Sequence, residues 1–147
     1  MPGTRPRILV IDDERAIRQM LRDVLDAFGY AVDVAAGGGD ALAVFEPERY
    51  DLVVTDLLMA GMSGIEVAQA IRSADADVPL ILLTGSIPGI PVEKARIPNL
   101  TLLQKPIGLR ELQDAVAHAI AQRRKGPARA EGRRDEPTPG ALDERAG

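Results

Sequence analysis

Asp51-Leu52-Val53-Val54-Thr55-Asp56-Leu57-Leu58-Met59 is the stretch that decides the fold of this chain. Leu52, Val53 and Val54 make an unbroken apolar run bounded by polar residues. Such a run suits a parallel strand buried on both faces, whereas a strand with one wet face alternates. Asp56 falls where that strand leaves the sheet. Read alone it is a loop-capping aspartate. Open parallel sheets, however, bind ligands outside the carboxyl ends of their strands, so its place is one where function is found.

Similar runs lie on either side. Arg7-Ile8-Leu9-Val10-Ile11 leads into Asp12-Asp13. Tyr30-Ala31-Val32-Asp33-Val34-Ala35 is less apolar and suits a sheet edge. Pro79-Leu80-Ile81-Leu82-Leu83 ends at Thr84-Gly85-Ser86, and Leu100-Thr101-Leu102-Leu103-Gln104 ends at Lys105-Pro106. Helical spacing separates these runs. Ile17, Met20, Leu21, Val24, Leu25 and Phe28 mark one buried helix face, with Gly29 as its stop. Gly37-Gly38-Gly39 reads as a loop from which Asp40 leads into a short helix that Pro47 ends. Ser63-Gly64-Ile65-Glu66 is a capping box before the helix of Val67, Ala68 and Ile71, which fades in Asp75-Ala76-Asp77. Leu109, Leu112, Val116 and Ile120 mark the inner face of a last helix. Residues 87–99 are broken by Pro88, Pro91 and Pro98; interior proline costs ~3 kcal/mol in a helix, so at most one turn is expected there, near Val92 to Arg96. The alternation predicts an α/β protein: a flavodoxin-like, doubly wound, five-stranded parallel sheet of order 2-1-3-4-5 with helices on both faces.

Length and composition bound the answer. A chain of 147 residues is one domain by the usual size of domains, and 46% hydrophobic residues with 3% aromatics imply an aliphatic core. The absence of cysteine excludes a disulfide framework, a thiolate metal site and a cysteine nucleophile, and suits the cytoplasm. Ile8 to Ile11 is too short for a signal peptide or a membrane span. The net charge is −4, acidic over residues 1–121 and basic over 122–147. An acidic body is unsuited to nucleic acid. The tail is rich in Arg, Gly, Pro and Ala and cannot bury enough apolar surface to order itself. The expected division is a flexible N-terminus at 1–6, a folded domain at 7–121 and a disordered tail at 122–147, with Arg123-Arg124-Lys125 as a solvated helix end. The glycine triplet lacks both the P-loop and the Gly-x-Gly-x-x-Gly spacing. His118, the one histidine, lies off the inner face of the last helix and reads as an exposed bystander.

Four strand ends carry chemistry: Asp12 and Asp13, Asp56, Thr84 and Lys105. In the expected order the first and third strands are neighbours, so three carboxylates crowd into one crevice. Unrelieved, they raise one another's pKa. A hard divalent cation resolves this, and carboxylates, a carbonyl and waters suit Mg²⁺. No His or Cys joins the cluster, which argues against zinc. A divalent cation, one hydroxyl and one ammonium around an aspartate are what phosphoryl transfer to that aspartate needs.

The motifs Val10-Ile11-Asp12-Asp13, Leu52-Val53-Val54-Thr55-Asp56-Leu57-Leu58-Met59, Leu83-Thr84-Gly85 and Leu103-Gln104-Lys105-Pro106, in this order over residues 7–121, resemble those of response-regulator receiver domains. The resemblance implies that Asp56 is phosphorylated by a histidine kinase or a histidine phosphotransfer protein. It also implies that Asp12, Asp13 and Asp56 hold Mg²⁺, with Asp13 the direct ligand of the first pair and the Leu58 carbonyl completing the set. Thr84 and Lys105 then contact the phosphoryl oxygens, and Lys105-Pro106 falls at the family's cis peptide. Such a protein is a cytoplasmic phosphoacceptor that assists its own phosphorylation and dephosphorylation rather than an enzyme. With no output domain expected after residue 121, it signals by contact with a downstream protein, without nucleic acid or membrane partners. A homodimer through the face beside the last helix is left open.

Several residues depart from the family's pattern. Leu102 stands where an aromatic switch residue is usual, and Ala60 where proline is usual. Leu58 offers no polar group to position an attacking water, which predicts slow dephosphorylation. The proline-broken stretch at 87–99 stands where a full helix is usual, and phosphorylation is expected to order it. Two other readings compete. An aspartate-nucleophile phosphatase needs a second acid where this chain has Leu58. A receiver-like adaptor that is never phosphorylated should have lost Asp56, Asp13 or Lys105.

Overall fold

The structure, a computed structural model, describes residues 5–85 and 97–124. Its elements run β1 (Arg7–Ile11), α1 (Arg15–Ala27), β2 (Ala31–Ala35), α2 (Gly38–Val44), β3 (Leu52–Asp56), α3 (Gly64–Ala74), β4 (Leu80–Thr84), β5 (Leu100–Gln104) and α4 (Leu109–Arg124). The strands pair in parallel in the order β2-β1-β3-β4-β5, as the sequence predicts.

Side-chain alternation along the strands sorts the core into two layers. Ile8, Val10, Leu52, Val54, Ile81 and Leu83 pack beneath α1 and α4, against Leu21, Leu25, Leu112 and Val116. Leu9, Ile11, Val53 and Leu80 pack on the other face against Ala41 of α2 and Val67, Ala68 and Ile71 of α3. β3 and β4 are buried along their whole length, which is why their sequences are apolar without alternation. β2 is an edge strand, and its Asp33 is satisfied by Arg7 at 3.1 Å and by the Tyr50 hydroxyl at 2.7 Å.

The helix ends follow from local chemistry. Ser63 and Glu66 form the expected capping box on α3. Gly29, at φ +105°, turns the chain out of α1 in a conformation that glycine tolerates best. The glycine triplet departs from expectation, because Gly38 and Gly39 are the first residues of α2 and not a loop. Glycine at 38 reflects a close approach and not a loop conformation: a Cβ there would stand 2.7 Å from Met62 Cβ and 2.8 Å from Val67 Cγ2. Two expected core residues also lie outside the core. Met20 is 46% exposed and Leu109 is 61% exposed, and both line an apolar groove of about 350 Å³ between α1 and α4, with Lys105 also lining it. His118 is exposed as predicted. Residues 86–96 lie outside the described residues, and the expected turn near Val92 to Arg96 falls among them; Pro98 and Asn99 form a turn just before β5.

A polar network at the end of the sheet remote from Asp56 corrects the reading of the last helix. α4 continues to Arg124, and Arg123 is 5% exposed rather than solvated. Its guanidinium donates to both oxygens of the buried Asp75 at 3.3 Å. Asp75 also accepts the N–H groups of Glu48, Asp77 and Val78 at 2.9, 2.9 and 3.1 Å. Arg72 of α3 donates to the Asp75 carbonyl at 2.9 Å and to the Pro98 carbonyl at 2.8 Å, tying the turn before β5 to the same cluster. The rest of the expected tail, 125–147, lies outside the described residues.

Gly64 sits directly behind the end of β3. A Cβ there would lie 2.3 Å from the Asp56 carbonyl oxygen and 2.8 Å from Leu57 Cα, both backbone atoms that cannot rotate away. Gly64→Ala is therefore expected to destabilise the protein by about 2 kcal/mol despite alanine's better helix propensity, as a lowered urea midpoint at unchanged slope. A midpoint at or above that of the wild type would contradict the close approach.

Candidate functional site

Parallel register brings the site together. Ile11 pairs with Thr55, so Asp12 and Asp56, each one residue further on, leave β1 and β3 side by side. Asp56 pairs with Leu83 on its other flank, which places Thr84 one residue beyond. Thr84 pairs with Gln104, and the Lys105 N–H donates to the Thr84 carbonyl at 2.7 Å. Four strands thus deliver the expected residues to one end of the sheet.

The three aspartates each offer an oxygen, and these oxygens lie within 4.8 Å of one another. Asp12 is fully buried. Its Oδ1 accepts the Glu14 N–H at 2.8 Å, which turns the chain into α1, while its Oδ2 is buried with no hydrogen-bond partner. Arg18 reaches back from α1 to donate to the Asp12 carbonyl at 2.8 Å. Asp13 is exposed, and its Oδ2 accepts the Ala60 N–H at 2.9 Å. Asp56 is 8% exposed, and the Lys105 ammonium stands 3.0 Å from its Oδ1. Thr84 is buried at the end of β4. Leu58 lies in the loop after β3 and is 69% exposed, and Leu102 is half-buried on β5. The Lys105-Pro106 peptide is cis, at the place expected.

Electrostatics make the cluster uneasy as it stands. Burial pushes the Asp12 carboxyl above the ordinary carboxylate range; the Glu14 N–H opposes this, the Asp56 charge adds to it, Lys105 opposes it and Asp13 adds again. Two like charges ~4 Å apart repel by on the order of 4 kcal/mol at an effective dielectric near 20. One lysine offsets only part of the repulsion among three carboxylates. The donors are all hard oxygens, and one of them is a buried carboxylate oxygen without a partner. That donor set fits a hard divalent cation held by oxygen ligands, and it does not fit zinc.

The sequence reading missed two contacts. Arg123 continues the buried spacing of Leu112, Val116 and Ile120, and that periodicity was the available signal for its burial. For the Ala60 amide the available signal was alanine in place of the usual proline, which keeps an N–H but does not say what accepts it.

Residues 8–117 match the family described as the response regulator receiver domain. The response regulator MprA of Mycolicibacterium vanbaalenii is 44% identical over 78 residues, which are 53% of this chain and 34% of that protein. The chain thus spans about a third of the length of the curated relatives it matches. Among solved structures, the response regulator TrrA of Thermotoga maritima, determined in complex with Mg²⁺-BeF, is 36% identical with a TM-score of 0.68. The alignment covers 78% of this chain and 98% of that one. A receiver domain protein from Clostridium thermocellum is 27% identical with a TM-score of 0.72, over 82% of this chain and 98% of that one.

Proposed function

Because this chain belongs to the response regulator receiver domain family of two-component systems, we propose that it accepts a phosphoryl group on Asp56 from a histidine kinase or a histidine phosphotransfer protein. The observation that carries the reading is the pairing of Asp56 with Lys105 at 3.0 Å inside a cluster of three carboxylates. A carboxylate oxygen of Asp56 attacks phosphorus, the bond from phosphorus to the donor breaks, and its electron pair leaves with the donor group. The product is an acyl phosphate on Asp56. Lys105 follows the charge from the carboxylate to the phosphoryl oxygens, and the Thr84 hydroxyl donates to one of them. Asp12, Asp13 and Asp56, with the Leu58 carbonyl, would hold Mg²⁺, which supplies further neutralisation of the phosphoryl oxygens. The Mg²⁺-BeF complex of the Thermotoga relative supports Mg²⁺ as the cation.

The reading makes the chain a phosphoacceptor that promotes its own phosphorylation and dephosphorylation, not an enzyme acting on other molecules. Its proposed place is the cytoplasm, where a two-component phosphodonor would meet it. The receiver unit runs from residue 7 through the end of α4 at Arg124, three residues beyond the expected boundary at 121, and the signal passes on by protein contact. Incubation with acetyl phosphate and Mg²⁺ followed by intact mass tests it: a gain of one phosphoryl group is expected, and no gain would overturn it. Leu58, exposed and apolar two residues after Asp56, leaves an attacking water without a side-chain partner. The phosphorylated form is therefore expected to last minutes or longer after donor removal, and a decay within seconds would contradict that role for Leu58.

A further inference from the structure

We propose that the backbone N–H of Ala60 is a positioning group for the divalent cation, holding the Asp13 carboxylate within the ligand cluster. The inference rests on reading Asp12, Asp13 and Asp56 as the Mg²⁺ site. Asp13 is the exposed member of the trio, and its neighbours repel it. A solvent-facing carboxylate in that setting gains by rotating outward, away from two like charges and into water. The Ala60 amide opposes this, donating to Asp13 Oδ2 at 2.9 Å. The three carboxylates converge within 4.8 Å while that bond is made, so the bond is compatible with the cluster and does not compete with it. A hydrogen bond on one oxygen leaves the other free for a metal, which is how groups around a metal centre orient its ligands.

The same bond fixes the loop that follows β3. The start of that loop is held by the Leu57 N–H on the Leu83 carbonyl, and its return by the Gly64 N–H on the Leu57 carbonyl, both at 2.8 Å. Gly61, at φ +79°, reverses the chain immediately after Ala60. The Ala60 contact ties the middle of the loop to the turn between β1 and α1. One backbone donor therefore links the two loops that carry Asp13 and the Leu58 carbonyl, which the pairing of β1 and β3 places side by side. A proline at position 60 would have no N–H to donate and would undo this tie.

The test is a Mg²⁺ titration of the full, unphosphorylated chain by calorimetry. Ala60→Ser keeps the N–H and should match the wild type. Ala60→Pro should weaken Mg²⁺ binding about tenfold, the low end of the usual effect of losing such a partner because this contact is open to water. Asp13→Ala should abolish binding. Equal affinity of Ala60→Pro and wild type would overturn the proposal and leave the phosphoacceptor reading standing, since that reading is scored by the mass gain alone. A wild type that binds no Mg²⁺ would overturn the proposal and the metal assignment together. A second measurement does not depend on the proline variant folding. In metal-free buffer, Asp13→Ala should shift the Ala60 amide proton upfield and speed its exchange, and an unmoved amide would overturn the proposal.

Discussion

Asp56→Asn is expected to abolish phosphorylation by acetyl phosphate while leaving the fold intact. The carboxamide oxygen carries no full negative charge and is not a nucleophile toward phosphorus at neutral pH. The variant also loses the ion pair with Lys105 at 3.0 Å, but it relieves the charge that Asp56 imposes on Asp12. Those two changes oppose each other, so stability should move little. Lys105→Ala is a graded companion. Removing one group that meets the developing phosphoryl charge should slow phosphorylation by about 10²–10³ without abolishing it. Mass spectrometry over a time course separates the two patterns. If Asp56→Asn gained the phosphoryl group as fast as the wild type, another residue would be the acceptor.

Arg123→Ala is expected to destabilise the protein by about 3 kcal/mol, and Asp75→Ala by more, about 4–5 kcal/mol. Both side chains are nearly inaccessible, and removing one member of a buried pair leaves an uncompensated charge. The order follows from the remaining partners. Without Arg123, Asp75 keeps three backbone donors; without Asp75, those donors are orphaned together with a buried guanidinium. Burial alone would raise the Asp75 carboxyl, but the Arg123 hydrogen bonds, the N–H groups of Glu48 and Asp77 and the Arg123 charge outweigh it and hold its pKa at about 2, below the ordinary 3.8. A folded-state value below the unfolded one stabilises the protein above about pH 4. The contribution, about 2 kcal/mol, fades as pH falls toward 2. Urea unfolding between pH 5 and pH 2 should therefore show an acid loss of stability that Asp75→Ala lacks. Equal slopes in the two proteins would contradict the buried pair.

The fold was legible because parallel strands buried on both faces leave unbroken apolar runs, as Leu52 to Val54 and Leu80 to Leu83 do. The site was legible for a related reason: strand order alone places Asp12, Asp56, Thr84 and Lys105 at one end of the sheet, whatever the side chains do. What escaped depends on tertiary approach. Gly38 opens a helix yet has to be glycine, because Met62 and Val67 come too close for a Cβ. Met20 and Leu109 keep helical spacing yet border an open groove, since periodicity marks a face and not how far the face is covered. Arg123 looked like one of three solvated basic residues, and only the fold brings Asp75 to it across the sequence. The Ala60 tie joins two loops that meet only once β1 and β3 are paired.

Borohydride trapping tests the central claim most directly. After incubation with acetyl phosphate and Mg²⁺, reduction of the acyl phosphate converts the modified aspartate to homoserine, which peptide mass spectrometry then locates. Homoserine at position 56 alone is the expected result; homoserine at position 12 or 13, or none at all, would contradict the assignment of Asp56 as phosphoacceptor.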